Sequence, residues 1–178
     1  MIRTGRQYRA GVIERIHLAA LHLYQRLPLL PRRWIVRTMA PSYTVGAMCF
    51  IERRGGDVLL VRQSYRRNWG VPGGLLRRGE DPGDGARREV LEEVGLVIDL
   101  VGEPAVVVEA DPQRVDLVYR AVLVDETSAD RARPLSPEVV EARWFPRHAL
   151  PELQHETAAA LVHLARVSRG AAAPPLPI

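Results

Sequence analysis

The chain has 178 residues, of which 47% are hydrophobic and 26% charged, with a formal net charge of +4 and one cysteine. That length favours one domain with a sizeable core, and that composition excludes a wholly disordered chain. A lone cysteine, Cys49, excludes a disulfide framework or a cysteine-built zinc site and reads as a buried structural thiol.

All 25 basic residues are arginine. Residues 1–40 hold eight of them against one acid, Glu14, for a charge of +7; the remainder carries −3. The high pI is therefore a property of the first segment. Residues 10–27 predict an amphipathic helix, with Val12, Ile16, Ala19, Ala20, Leu23 and Leu27 near helical spacing. Its arginines could meet nucleic acid or an anionic membrane. A solvated helix face, packed on its own domain or in a homodimer, is the simpler expectation, with no nucleic-acid partner. The stretch Ile13 to Leu30 is broken by charges, whereas a membrane span needs about 20 mostly apolar residues. With no clear apolar signal region, a cytoplasmic protein is expected. Trp34, Ile35 and Val36 suggest a second short helical turn.

Thr44 to Ile51 and Asp57 to Arg62 are strand-like runs on either side of Gly55-Gly56, which predicts a hairpin. Residues 64–80 read as loop. Further strands are expected at Val97–Val101, Ala105–Glu109, Val115–Val124 and Val139–Phe145, with Asp111-Pro112-Gln113 as a turn. Glu126 to Pro137 reads as a polar surface loop. A last amphipathic helix is expected over 153–168, with Gly170 placed to end it. The element order indicates α+β layers around a mixed β-sheet. It divides the chain into a basic helical extension (1–40), a folded body (41–170) and a flexible tail (171–178).

The chemistry concentrates between Gly74 and Leu96. Asp81 can cap a helix, Pro82 suits its first position, and Gly95 can stop it, which predicts a helix over about 82–94. On a wheel of about 100° per residue, Glu89, Glu92 and Glu93 share an arc of about 100°, beside the apolar arc of Ala86, Val90 and Val94. Like charges at this spacing oppose a helix by about 0.2–0.5 kcal/mol per pair. Arg88 or a hard divalent cation would offset that repulsion, the cation being the better candidate. A solvated acidic face is the plain alternative. Gly83 and Gly85, each costing about 0.5–1 kcal/mol against alanine, would loosen the first turns.

The spacing Gly74, Glu80, Arg88, Glu89, Val90, Glu92, Glu93, Gly95 and Leu96 resembles the Nudix box, G-x5-E-x7-R-E-U-x-E-E-x-G-U, at every fixed position. The likeness extends from about Tyr43 to Leu153, through Trp69-Gly-Val-Pro72-Gly73-Gly74 and Glu138 followed by Trp144-Phe145. It implies a Nudix αβα sandwich and Mg²⁺- or Mn²⁺-dependent hydrolysis of a nucleoside diphosphate linked to another moiety. By matching position, Glu92 and Glu93 are the main metal ligands, with the Gly74 carbonyl completing the site. Glu89 ligates metal or orients water, Glu80 supports the cluster, and Arg88 orients a glutamate. Glu138 matches a distal acid that binds metal or acts as general base, so Glu89 and Glu138 are both candidates for that role. Arg62, Arg66 and Arg77, along with Arg67 and Arg78, are candidates for substrate phosphates, and Tyr65 or Trp69 for a base. Pro112 stands where the family's ADP-ribose hydrolases carry a proline, although a hairpin turn explains it equally. ADP-ribose, nucleotide sugars, nucleoside triphosphates (oxidised ones included) and dinucleoside polyphosphates are the candidate substrates, with a lean toward the first three. The competing reading is a catalytically silent nucleotide sensor or interaction module on the same scaffold.

Overall fold

The computed structural model describes residues 5–32, 38, 40 and 42–171. The chain divides into two units, Met1–Ser42 and Tyr43–Ile178. In the first, helix α1 spans Gly5–Arg26, starting earlier than its apolar spacing suggests. Of the expected apolar stripe, Ala19, Ala20 and Leu23 are exposed. Arg32 folds back on this helix, its Nε donating to the Tyr24 carbonyl at 2.9 Å and its guanidinium lying 5.5 Å from the Tyr24 ring centre. The expected turn at Trp34–Val36 lies outside the described residues, as does the tail from residue 172. Among the described residues, no helix is long and apolar enough to cross a membrane.

The second unit is a mixed sheet between helices. Strands β1 (Thr44–Glu52) and β2 (Asp57–Gln63) form the expected hairpin, closed by Gly55 and Gly56 at φ 102° and 86°. Those positive angles cost a glycine little and other residues more. Short β3 (Gly73–Leu75) pairs with the start of β1; β4 (Ile98–Glu109), β5 (Arg114–Leu123) and β6 (Val139–Pro146) complete the sheet. The order is β4-β5-β1-β2-β6, with β1 and β5 parallel and the other pairs antiparallel. Helix α2 (Pro82–Val94) and helix α3 (His155–Ala171) supply the outer layers.

Pleating sorts the core into two clusters, one per sheet face. On β1, Ala47, Cys49 and Ile51 join the cluster that receives Ala86, Val90 and Val94 of α2. Phe50, from the same strand, joins the cluster that receives Ala160 and Leu164 of α3, with Met48 packed against it. Trp69 is also a packing residue, its ring meeting Phe145 edge-on at 4.8 Å.

Four expectations need correction. Residues 64–80 are not all loop, since Gly73–Leu75 forms β3 by pairing with β1. β4 is one strand, not two, because β5 pairs with it on both sides of a register shift between Val101 and Ala105. Gly102 and Pro104 mark that shift, and because it spans two residues the strand keeps its alternation: even-numbered Ile98 and Leu100 pack with the α2 cluster, odd-numbered Ala105 and Val107 with the α3 cluster. The polar stretch after Val124 is not all loop. A 3-10 helix spans Glu126–Arg131, capped by Asp125, and buries Ala129, whose carbonyl accepts from Trp144 Nε1 at 3.0 Å. Finally, α3 runs through Gly170 to Ala171, since glycine in a last turn weakens a helix without stopping it.

Candidate active site

Helix α2 is held at both ends by its own sequence. The Asp81 side chain accepts from Gly83 N at 2.8 Å and Asp84 N at 3.3 Å. Gly95 is left-handed at φ 73° and donates to the Leu91 carbonyl at 3.1 Å. The two glycines of the first turns serve close packing. A Cβ on Gly85 would run into the Leu76 side chain, and one on Gly83 would stand 3.2 Å from Leu100.

The α2 glutamates divide into two environments. Arg88 spreads its guanidinium over three acids: Glu80 at 2.6 and 2.8 Å, Glu89 at 2.7 Å and Glu92 at 3.2 Å. It also reaches the Leu75 carbonyl at 3.4 Å. These bonds, that to Glu80 foremost, raise Arg88 further above its already high range. The Arg88 bonds, then the Arg77 N–H, hold Glu80 down to about 2. Glu92 is shared between Arg88 and Arg77, whose Nη2 lies 3.0 Å away, and its side chain is half exposed.

Glu93 is the buried member, 5% exposed, with Gly73 N donating to it at 3.0 Å. Gly73 sits at φ 155°, and a Cβ there would run into the Ala47 carbonyl, so the close β3–β1 approach that delivers this N–H needs glycine. Burial pushes Glu93 up to about 7; the Gly73 N–H opposes this, and the charges of Glu89 and Glu138 add to it. Gly74, next along β3, faces Glu89: a Cβ there would stand 2.6 Å from the carboxyl carbon.

Glu89, Glu93 and Glu138 line one cavity of about 440 Å³, together with Gly73 and Gly74. Tyr65, Arg66 and Arg114 also line it, with Gln154, Glu156 and Thr157 at the start of α3. Of the residues singled out from sequence, Glu80, Arg88 and Glu92 form a network beside this cavity rather than its lining. Arg77 pairs with Glu92, while Arg62 pairs with Glu141 at 2.8 Å; neither lines the cavity. Arg66 does, paired with Glu156 at 3.2 Å. Arg114 was not among the residues singled out. Its signal was Asp116, an acid within an apolar strand, which Arg114 Nε meets at 2.7 and 2.9 Å. A second cavity of about 280 Å³ is floored by Phe50, Val58 and Leu164. Its only carboxylate, Glu52, is already met by Arg120 and Arg147.

Does this donor set suit a divalent cation? Among the described residues, no three acidic, histidine or cysteine side chains stand close enough to enclose one as placed. The chemistry nonetheless fits. Four carboxylates face one cavity and the Gly74 backbone borders it; Glu89 is paired with Arg88 and Glu156 with Arg66, while Glu93 and Glu138 have no arginine partner among the described residues. Hard cations with water and phosphate in their shells take such donors.

The NUDIX domain family model matches residues 42–165. A MutT-like protein of Streptomyces ambofaciens is 29% identical over 118 residues, covering 64% of this chain and 77% of that protein. Diphosphoinositol polyphosphate phosphohydrolase 3-beta of Bos taurus is 48% identical over 50 residues, covering 28% of this chain. The chain thus spans 30% of that relative's length. Among solved structures, a NUDIX hydrolase from Nitrosomonas europaea superposes with a TM-score of 0.62 at 25% identity, covering 73% of this chain and 74% of the other.

Proposed function

The chain belongs to the Nudix family of hydrolases, and from that premise we propose that it cleaves the phosphoanhydride of a nucleoside diphosphate linked to another moiety. ADP-ribose, nucleotide sugars and nucleoside triphosphates are the leading substrates. The observation that supports this reading is the gathering of Glu89, Glu93 and Glu138 with Arg66 and Arg114 around one cavity. Carboxylates suit the cation, arginines the phosphates, and Tyr65 offers a ring to a base.

Mg²⁺ or Mn²⁺ would be held by Glu93 and Glu89, with the Gly74 carbonyl; Glu92 would join by exchanging its arginines for the cation. Such a cation, when bound, supplies neutralisation of the diphosphate charge and makes water a stronger acid. The chain's own groups do the rest. Gly73 N–H fixes the Glu93 carboxylate, and Arg88 ties Glu80, Glu89 and Glu92 into one rigid array. Glu138 is the better general base. Glu89 is already held by Arg88 at 2.7 Å, which occupies an oxygen that a base must turn toward water, whereas the Glu138 carboxylate accepts no hydrogen bond among the described residues. The buried free thiol of Cys49 is compatible with the reducing cytoplasm proposed for this enzyme.

The test is mass spectrometry of products from a panel of nucleotides with Mg²⁺, comparing wild type with Glu93→Gln and Glu138→Gln. A diphosphoinositol polyphosphate belongs in the panel because of the Bos taurus relative's name. Wild-type turnover of a nucleoside diphosphate derivative, lost in Glu93→Gln, is expected. Binding of nucleotides without any product would instead make the chain a sensor.

A further inference from the structure

Arg114 opens β5 and lines the cavity that holds Glu89, Glu93 and Glu138. It is gripped on one side only. Its Nε donates to both oxygens of Asp116, at 2.9 and 2.7 Å, and Asp116 is 3% exposed. A buried carboxylate is costly unless paired, and a half-exposed guanidinium elsewhere would remain free to turn. Here each fixes the other. Neither Nη of Arg114 donates to an acceptor among the described residues, which leaves four N–H groups unspent. β1 keeps this arrangement clear of side chains. A Cβ on Gly46 would run into Asp116 Oδ1 and stand 3.1 Å from Arg114 Nη2.

The rest of the cavity defines what those donors meet. Four carboxylates, Glu89, Glu93, Glu138 and Glu156, repel an incoming phosphate until cations offset them. Arg66, the other arginine in the lining, is already engaged by Glu156 at 3.2 Å. Of the two lining arginines, Arg114 is therefore the one with both Nη groups open among the described residues, and a planar fork of that kind matches two non-bridging oxygens of one phosphoryl group.

We propose that Arg114 is a substrate-binding residue, its Nη edge gripping the phosphoryl group that is not attacked, and that Asp116 is the positioning residue that aims it. This rests on the phosphoanhydride reading above and deepens it.

The probe is methylenediphosphonate, a diphosphate with an unhydrolysable bridge. Its binding to the full chain with Mg²⁺ is measured by calorimetry for wild type, Arg114→Ala, Arg114→Lys and Asp116→Asn. Arg114→Ala is expected to weaken binding by about thirtyfold, the loss of a two-pronged charged contact. Arg114→Lys keeps the charge and a partner for Asp116, which protects the fold, yet loses the fork and should recover less than about threefold of that. Asp116→Asn should weaken binding about fivefold with Arg114 still present. For accepted substrates, KM should rise by the same factors while kcat falls less. Wild-type binding matched by Arg114→Ala or fully restored by Arg114→Lys overturns the role of Arg114 alone. A wild-type chain that neither binds methylenediphosphonate nor hydrolyses any phosphoanhydride overturns the reading beneath it.

Discussion

Replacing Gly74 with alanine tests whether the placement of Glu89 matters to turnover. An alanine Cβ at this position would stand 2.6 Å from the Glu89 carboxyl carbon and 2.7 Å from each of its oxygens. Non-bonded carbons are comfortable at about 3.5–4.0 Å, so the carboxylate must retreat by about 1 Å. The backbone has no objection, since Gly74 is not among the glycines with positive φ. What moves is the far end of one flexible side chain, so the stability change stays within about 0.5 kcal/mol. A misplacement of about 1 Å in a catalytic array costs on the order of a hundredfold in rate, equivalent to about 2.7 kcal/mol of transition-state stabilisation. Steady-state phosphate release at saturating Mg²⁺, beside a thermal melt, reads both quantities. A variant with an unchanged melt and kcat/KM within threefold of wild type would refute the idea that β3 positions Glu89 for catalysis.

Other outcomes follow from the same structure. Val90→Ala removes two methyl groups from a side chain with no exposure. It should cost about 2 kcal/mol and lower Tm by roughly 5–10 °C, whereas a loss under about 0.5 kcal/mol would mean that α2 is not seated on the sheet. Burial pushes the Cys49 thiol up to about 12. Its thiolate is therefore scarce in the folded chain at pH 7 to 9, so alkylation should be negligible there and complete in denaturant; rapid native labelling would contradict the packing of β1. Gly46→Ala should disturb the Asp116–Arg114 pair and raise KM about tenfold, and an unchanged KM would show that the pair tolerates the added methyl group.

Much of the fold was legible because local chemistry and tertiary structure agree. Asp81, Pro82 and Gly95 bound a helix over 82–94, and the structure has it there. Gly55-Gly56 marked the hairpin in the same way. Legibility failed where a partner strand or a buried carbonyl overrode local signals. Gly102 and Pro104 look like a break, yet β5 pairs on both sides of them. Ala129 sits in a polar stretch but is needed by the indole N–H of Trp144. The spacing of the glutamates was visible, whereas their division between an arginine network and a cavity was not, because a helical wheel does not show where β3 and Arg77 come to lie. Arg114 escaped notice for a similar reason. It is distant in sequence from the box and reaches the cavity only through the parallel pairing of β1 with β5.

The direct measurement is a crystal of the full chain grown with Mn²⁺ and methylenediphosphonate, with anomalous scattering used to locate the metal. An anomalous peak is expected between the phosphonate and the Glu93 carboxylate, within coordination distance of at least one of Glu89 and Glu138. Phosphonate ordered in the cavity with no metal against Glu93 would contradict the account.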